Sequence, residues 1–238
     1  MTGPLSHLRV IEIGDDSGAY AGRLFAGFGA DVLRLTAPAD LTVRGWQVDP
    51  DPVVQDFLHR GKHTLPLPSD PAYRVRRIAQ VIDAADILIE SGAPDVLEQL
   101  GLTEDDPSIQ RADLIRVRVT PWGTSSDLAL MPGSDLISSA AGGFLTLGGW
   151  PDRAPTRAFG DQSLRMASLY AAVGAMLAVL ARDRDGLKTT IAQRLRNAGA
   201  KPTPKLVERE LAGIERRRAA LDAIAAIEAA GGVAHWHQ

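Results

Sequence analysis

The sequence predicts an α/β domain built on a doubly wound parallel sheet, followed by an α-helical tail. Three observations carry that prediction. Short aliphatic and β-branched runs alternate along the chain with longer segments of helical periodicity. The joints between them are short, as in βαβ units. The charge balance also changes near Gly186: residues 1–187 hold 17 basic and 24 acidic side chains, whereas residues 188–238 hold 9 basic and 5 acidic. The domain is therefore drawn over 1–187 and the tail over 188–238, with "RDRDG" read as a helix end and a turn.

The first element is "LRVIEIG", a buried strand ending in glycine. "SGAYAGRLFAGFGA" is a helix with small and apolar residues on one face, and "DVLRLTA" is the second strand. Gly14, Gly18 and Gly22 crowd the first strand-to-helix turn. Their spacing is not that of a dinucleotide-binding loop, and Thr36 and Ala37 stand where an acidic residue would hold a ribose. Tight helix–strand packing explains the glycines better. A loop with a short helix at "PVVQDFLHR" follows, then "KHTLPLP", whose prolines allow an edge strand or none. "DPAYRVRRIAQVIDAA" is an amphipathic helix, "DILIES" a third buried strand, "PDVLEQLGL" a short helix opened by proline, and "ADLIRVRVTPWG" a fourth strand. "SDLISSAAGGFLTLGG" is a helix that breaks at Gly142–Gly143. In the tail, "KTTIAQRLRNAGA" is one helix and the stretch from Pro204 onward another, with Leu206, Leu211, Ile214, Leu221, Ile224 and Ile227 on its apolar side.

Composition excludes several function classes. The net charge of −3 gives no global attraction to nucleic acid or anionic membrane. The absence of cysteine removes disulfides, thiolate metal sites and cysteine nucleophiles, and fits a cytoplasmic protein. "MTGPLSHLRV" lacks the apolar segment of a signal peptide, and the run from Leu169 to Leu180 reads as too short to span a bilayer. No membrane partner, no nucleic-acid partner and no metal site is therefore expected. Arg216–Arg218 reads as a solvated helix face, and His235 and His237, without a third ligand nearby, as a frayed chain end.

Asp161 stands just before the helix "QSLRMASLYAAVGAMLAVLARDRDG". Two readings compete. A carboxylate at a helix start caps an unpaired backbone N–H and suits the positive end of the helix dipole. A carboxylate can also attack a carbonyl carbon and act as a covalent nucleophile.

Five segments, in order, tip the balance. "PLSHLRVIEIGDDSGAYAGRLFAGFGADVLRLTAP", "RGKHTLPL", "ADILIESGAPDVLEQLGL", "DLIRVRVTPWG" and "GSDLISSAAGGFLTLGGWPDRAPTRAFGDQ" together resemble the first half of family III CoA-transferases, over residues 4–186. The resemblance implies CoA transfer from an acyl-CoA to a carboxylic acid, with CoA as substrate and no permanently bound cofactor. It implies that Asp161 is the nucleophile and passes through an aspartyl-CoA thioester. Backbone N–H groups near the helix start are expected to hold the developing oxyanion. In the racemase branch of the family a histidine precedes an aspartate where this chain has Ser134 and Asp135. Serine cannot replace histidine as an acid/base partner, so transfer is preferred to racemisation. Lys62 and, more weakly, Arg34 are the candidates for the phosphates of CoA. Thr36, Ala37, Ser91 and Gly92 depart from the family pattern at its other CoA-contacting places.

Beyond Gly186 the pattern changes. Residues 188–238 resemble a fragment of a polyketide-synthase-type ketoreductase domain, without its glycine-rich loop or catalytic tyrosine, so no NADP site is implied. The expectation is a joined chain lacking the family's second half. Family III enzymes are implied to be interlocked dimers; a homodimer is allowed here, and faces normally covered are expected to be exposed. The alternative function is a non-catalytic α/β remnant that binds CoA or only associates with other chains.

Overall fold

Among the described residues up to Asn197, the alternation of aliphatic runs with helical segments is realised as five strands and six α-helices. The computed structural model describes residues 3–45, 48–197, 201, 203–209 and 211–212, the side chains of 187–197 excepted. The strands are β1 (Arg9–Gly14), β2 (Asp31–Thr36), β3 (His63–Pro66), β4 (Ile87–Ser91) and β5 (Ile115–Val119). The helices are α1 (Ala19–Gly27), α2 (Pro52–His59), α3 (Pro71–Asp83), α4 (Val96–Gln99), α5 (Asp135–Ala141) and α6 (Gln162–Asn197), with a 3-10 turn at Phe144–Leu147. All strand pairs are parallel, in the order β3-β2-β1-β4-β5. Parallel neighbours need crossovers, and α1 to α4 supply one for each successive pair of strands.

The strand period of two divides β1 between two layers. Ile11 and Ile13 join one core with Leu35 of β2, Leu88 of β4, Ile78 and Ile82 of α3, and Leu97 and Leu100 around α4. Val10 and Glu12 alternate with them along the strand, and Gly22 of α1 lies directly against the Glu12 carboxylate. The glycines of the first turn are packing residues, as expected. A Cβ on Gly14, whose φ is +118°, would come within 2.0 Å of the Ser91 carbonyl oxygen; one on Gly18 would meet the Ser91 side chain at 2.8 Å. The Asp-Pro pairs start two helices: Asp51 accepts from Val53 N–H at 2.8 Å and Asp70 from Tyr73 N–H at 2.7 Å, each with proline next. β3 forms at the sheet edge, where its prolines are tolerated.

Two expectations need correction. The helix does not end at "RDRDG": α6 runs unbroken over 36 residues through Gly186 to Asn197. One glycine inside a helix costs only about 1 kcal/mol relative to alanine, and good helix formers flank it here. Nor is the apolar run short. With its flanks it forms a 25-residue stretch, Gln162–Gly186, long and apolar enough to cross a membrane by length and composition. The same test is passed by core helices, and this stretch is 22% buried.

The chain divides into two compact units, 1–178 and 179–238, so the boundary falls inside α6. In the second unit residues 204–209 are helical, Val207 and Leu211 are buried, and Arg184 pairs with Glu208 at 3.3 Å. Arg216–Arg218, His235 and His237 lie outside the described residues.

Candidate active site

In an open parallel sheet, ligands bind beyond the carboxyl ends of the strands, where the strand order reverses. Here that point lies between β1 and β4. A cleft of about 450 Å³ opens at this edge, walled by Asp15–Ser17 after β1, Val119–Pro121 after β5, the start of α5, and Asp161 with its neighbours at the start of α6. A smaller cavity of about 210 Å³ shares Asp15, Pro121 and Gly133 with it.

Asp161 faces the cleft and is about a quarter exposed. Its backbone carbonyl accepts the first helical bond, from Arg165 N–H at 2.9 Å. Its carboxylate is flanked by two guanidiniums, one four residues earlier in the irregular segment before α6 and one in the first turn of α6. Arg157 Nη2 donates to Oδ1 at 2.8 Å, and Arg165 Nη2 lies 3.8 Å from Oδ2. The capping side chain is a different one. Asp135 Oδ1 accepts from Ser163 N–H at 2.7 Å and from Leu164 N–H at 3.3 Å. Asp135 is itself buried, and Arg157 Nε stands 3.5 Å from its other oxygen. Ser139 and Ser163 hydroxyls, 2.5 Å apart, tie α5 to the same turn. The capping role weighed for the Asp161 side chain is therefore filled by Asp135.

This division corrects the expected oxyanion site. The Ser163 and Leu164 N–H groups are engaged by Asp135, so the donors that face the Asp161 carboxylate are the arginines. Ser134, the N-cap of α5, accepts from Ile137 N–H. With Asp135 capping α6 there is no acid/base pair at 134–135.

The β1 loop carries two contrasting carboxyls. Burial raises the Asp15 carboxyl to about 6, although Ser17 donates to it from both its N–H and its hydroxyl. Asp16 is also partly buried, but hydrogen bonds from His59, Asp49 N–H and Gln55 outweigh that and hold it below the usual carboxylate range. These bonds fasten the segment before α2 to the cleft edge.

Lys62 and Arg34 are brought together, but not at the cleft. Lys62 Nζ is fully enclosed beneath α1, donating to Glu12 Oε2 at 2.6 Å and to the Ala19 carbonyl at 2.7 Å. Burial holds its ammonium below the usual lysine range, partly offset by Glu12. Arg34 Nη2 lies 3.4 Å from Asp16 and its Nε 4.0 Å from Glu12. Neither lines the cleft, and neither is presented to a phosphate. Arg157 and Arg165 were missed. For Arg165 the i+4 spacing from the helix start was the available signal, since residues four apart on a helix face one another; Arg157 lies in the irregular segment before α6, where no local pattern places it.

Three comparisons bear on this site. A family model described as CoA-transferase family III matches residues 5–235, which includes the tail; the ketoreductase resemblance proposed for that tail finds no support in the match. Among curated proteins, the succinyl-CoA:(R)-benzylsuccinate CoA-transferase subunit BbsE of Thauera aromatica is 36% identical over 190 residues, 76% of this chain and 46% of that protein. Succinyl-CoA–D-citramalate CoA-transferase of Chloroflexus aurantiacus is 29% identical over 191 residues, 77% of this chain and 47% of its own length. The chain thus spans about half the length of these relatives. Among solved structures, a CAIB/BAIF family protein from Brucella suis superposes with a TM-score of 0.67 at 22% identity, over 85% of this chain and 60% of that one. The hypothetical protein Rv3272 of Mycobacterium tuberculosis does so at 0.65 and 25%, over 78% and 53%. These structures share the fold.

Proposed function

The chain belongs to CoA-transferase family III, and from that premise we propose that it carries the nucleophile-bearing half of an acyl-CoA:carboxylate CoA-transferase, with Asp161 as the nucleophile. The observation that carries this reading is the division of labour at the start of α6. Asp135 holds the helix end, so the Asp161 carboxylate is left facing the cleft with charge partners and no capping duty.

The chemistry runs through four transfers at one carboxyl. An Asp161 oxygen attacks the thioester carbonyl; the C–S bond breaks and CoA thiolate leaves a mixed anhydride. The thiolate attacks the Asp161 carbonyl carbon; the anhydride C–O bond breaks, releasing the donor acid as its carboxylate and leaving an Asp161–CoA thioester. The acceptor carboxylate then attacks that thioester and frees the thiolate again. The thiolate takes the acceptor's carbonyl, and Asp161 returns as a carboxylate. No net proton or electron is exchanged. Named relatives that use succinyl-CoA support an acyl-CoA donor and an acid acceptor. A homodimer is part of the proposal and is supported by the bare apolar side of α6, where Leu169, Tyr170, Val173 and Leu177 are exposed.

The test is direct. The chain is incubated with succinyl-CoA and digested, and the peptide bearing Asp161 is weighed. A CoA-mass adduct there, absent from Asp161→Ala, is expected. No adduct in the wild type, or an adduct that survives in the variant, defeats the assignment. One observation favours the alternative, a remnant that only binds or associates: the expected CoA cations, Lys62 and Arg34, are enclosed by Glu12 and Asp16. For that reading, CoA produces neither adduct nor thermal shift.

A further inference from the structure

We infer that Arg157 and Arg165 form a carboxylate-binding pair that is closed by Asp161 in the resting protein and opened when Asp161 loses its charge, so that the acceptor acid binds after the donor has reacted. The site rests on geometry, and its role in ordering the reaction rests on the transferase reading above.

Both guanidiniums flank the same side chain, Arg157 from the irregular segment before α6 on Oδ1 at 2.8 Å and Arg165 from the first turn of α6 toward Oδ2 at 3.8 Å. Both line the cleft. Arg157 is half-exposed and Arg165 one-fifth exposed, so a solute in the cleft can reach them. Arg165 otherwise reaches the Asp16 carbonyl at 3.5 Å; Arg157 also donates to the Gly160 carbonyl at 3.4 Å and pairs through Nε with Asp135 at 3.5 Å, which leaves its Nη2 edge toward Asp161 as the face turned to the cleft. Guanidinium forks match carboxylates in shape and charge.

The charge changes during the reaction follow from bonding alone. With Asp161 as a carboxylate, the two guanidiniums are balanced by Asp161 and by Asp135, which also pairs with Arg157. With Asp161 as an anhydride or thioester the cluster gains one net positive charge, because the carboxyl is neutral while both arginines remain charged. The two guanidiniums then lose the Asp161 charge when the anhydride forms, before the donor carboxylate is released and before the acceptor attacks. A free carboxylate is the chemical class that fits the vacancy, and it arrives next to the carbonyl carbon it must attack. In the resting state Asp161 occupies the same donors and competes with any free acid, so a carboxylate does not enter ahead of the acyl-CoA.

The proposal is tested without turnover. Asp161→Asn gives a neutral side chain of the same shape, matching the charge of the thioester state. Succinate binding is measured by isothermal titration calorimetry to wild type, Asp161→Asn, and Asp161→Asn with Arg165→Met, using neutral succinamide as control. Loss of a charge-assisted hydrogen bond changes affinity about tenfold or more. Asp161→Asn is expected to bind succinate about tenfold more tightly than wild type, the second change to reverse that gain, and succinamide to show neither. Equal succinate affinity in wild type and Asp161→Asn, or a gain that survives Arg165→Met, overturns the inference. If the double variant does not fold, salt decides. Succinate binding by Asp161→Asn through exposed guanidiniums weakens between about 0.05 and about 0.5 M NaCl, and salt-independent binding overturns the inference. A succinate gain with no adduct in the succinyl-CoA experiment keeps the carboxylate site and rejects the transferase; an adduct with no succinate gain does the reverse.

Discussion

The β1–β4 half of the sheet and the α5–α6 segment are built from the same kinds of residue and end in opposite states. Around β1 and β4 the aliphatic side chains are enclosed: Ile13, Leu35, Ile78, Ile82, Ile87 and Leu88 show essentially no surface. Along α6 as far as Leu177 the buried positions are small, Ser168, Ala172 and Ala175, while Met166, Tyr170, Val173 and Leu177 are more than half or about half exposed. Trp150 and Phe159, just upstream, are barer still. Small residues let α6 sit close: the Ser168 hydroxyl bonds to the Ser17 carbonyl of the β1 loop. The contrast teaches that the sheet half completes its own core, whereas the α6 segment completes a site and leaves its outer face unpartnered.

Three changes put pressure on that contrast. The largest effect belongs to the enclosed half. Ile13→Ala leaves a cavity among residues already in contact and costs about 2–5 kcal/mol, read from the urea midpoint. A cost well under 1 kcal/mol would mean that the sheet core is looser than its burial indicates. Next is Asp15, at the border of the two regions. Its folded value, about 6, lies above the ordinary aspartate value of 3.8, so the folded state binds more protons between those pH values. Its contribution is fully present below about pH 4 and is lost as pH rises through about 6, an effect on the order of 3 kcal/mol. Asp15→Asn removes this slope, so the difference in stability between variant and wild type grows in the variant's favour from pH 4 to pH 7. A difference that is flat across that range refutes the assignment. The smallest effect on stability belongs to the bare face. Leu177→Gln changes the unfolding midpoint by no more than about 0.5 kcal/mol, because little contact is lost, while lowering the apparent mass seen in sedimentation at high concentration. A large loss of stability would show that Leu177 is covered in solution.

Much of the sheet half was legible because its signals are local. A β-branched run makes a strand, and Asp-Pro opens a helix within three residues. The glycines of the first turn were also readable, since small residues there have few roles besides close approach. What escaped was set by distant partners. Lys62 reads as an exposed loop lysine until Glu12, 50 residues earlier, encloses it. Asp135 caps a helix that begins 27 residues later, which no local pattern announces. Gly186 reads as a stop, yet no turn residue or proline follows closely to enforce one. Asp161 enters as a candidate through the family resemblance; Arg165 was within reach of helical spacing, whereas Arg157 comes to it from the irregular segment before α6.

The cap supplied by Asp135 has a consequence for ancestry. Because the helix end does not depend on residue 161, a descendant could replace that aspartate and still fold. Chemistry and architecture can drift apart in such a lineage, one silent copy persisting beside an active one. Sequences that keep Asp135 and vary at 161 would be the expected trace: shapes inherited intact after the reaction they once served has lapsed.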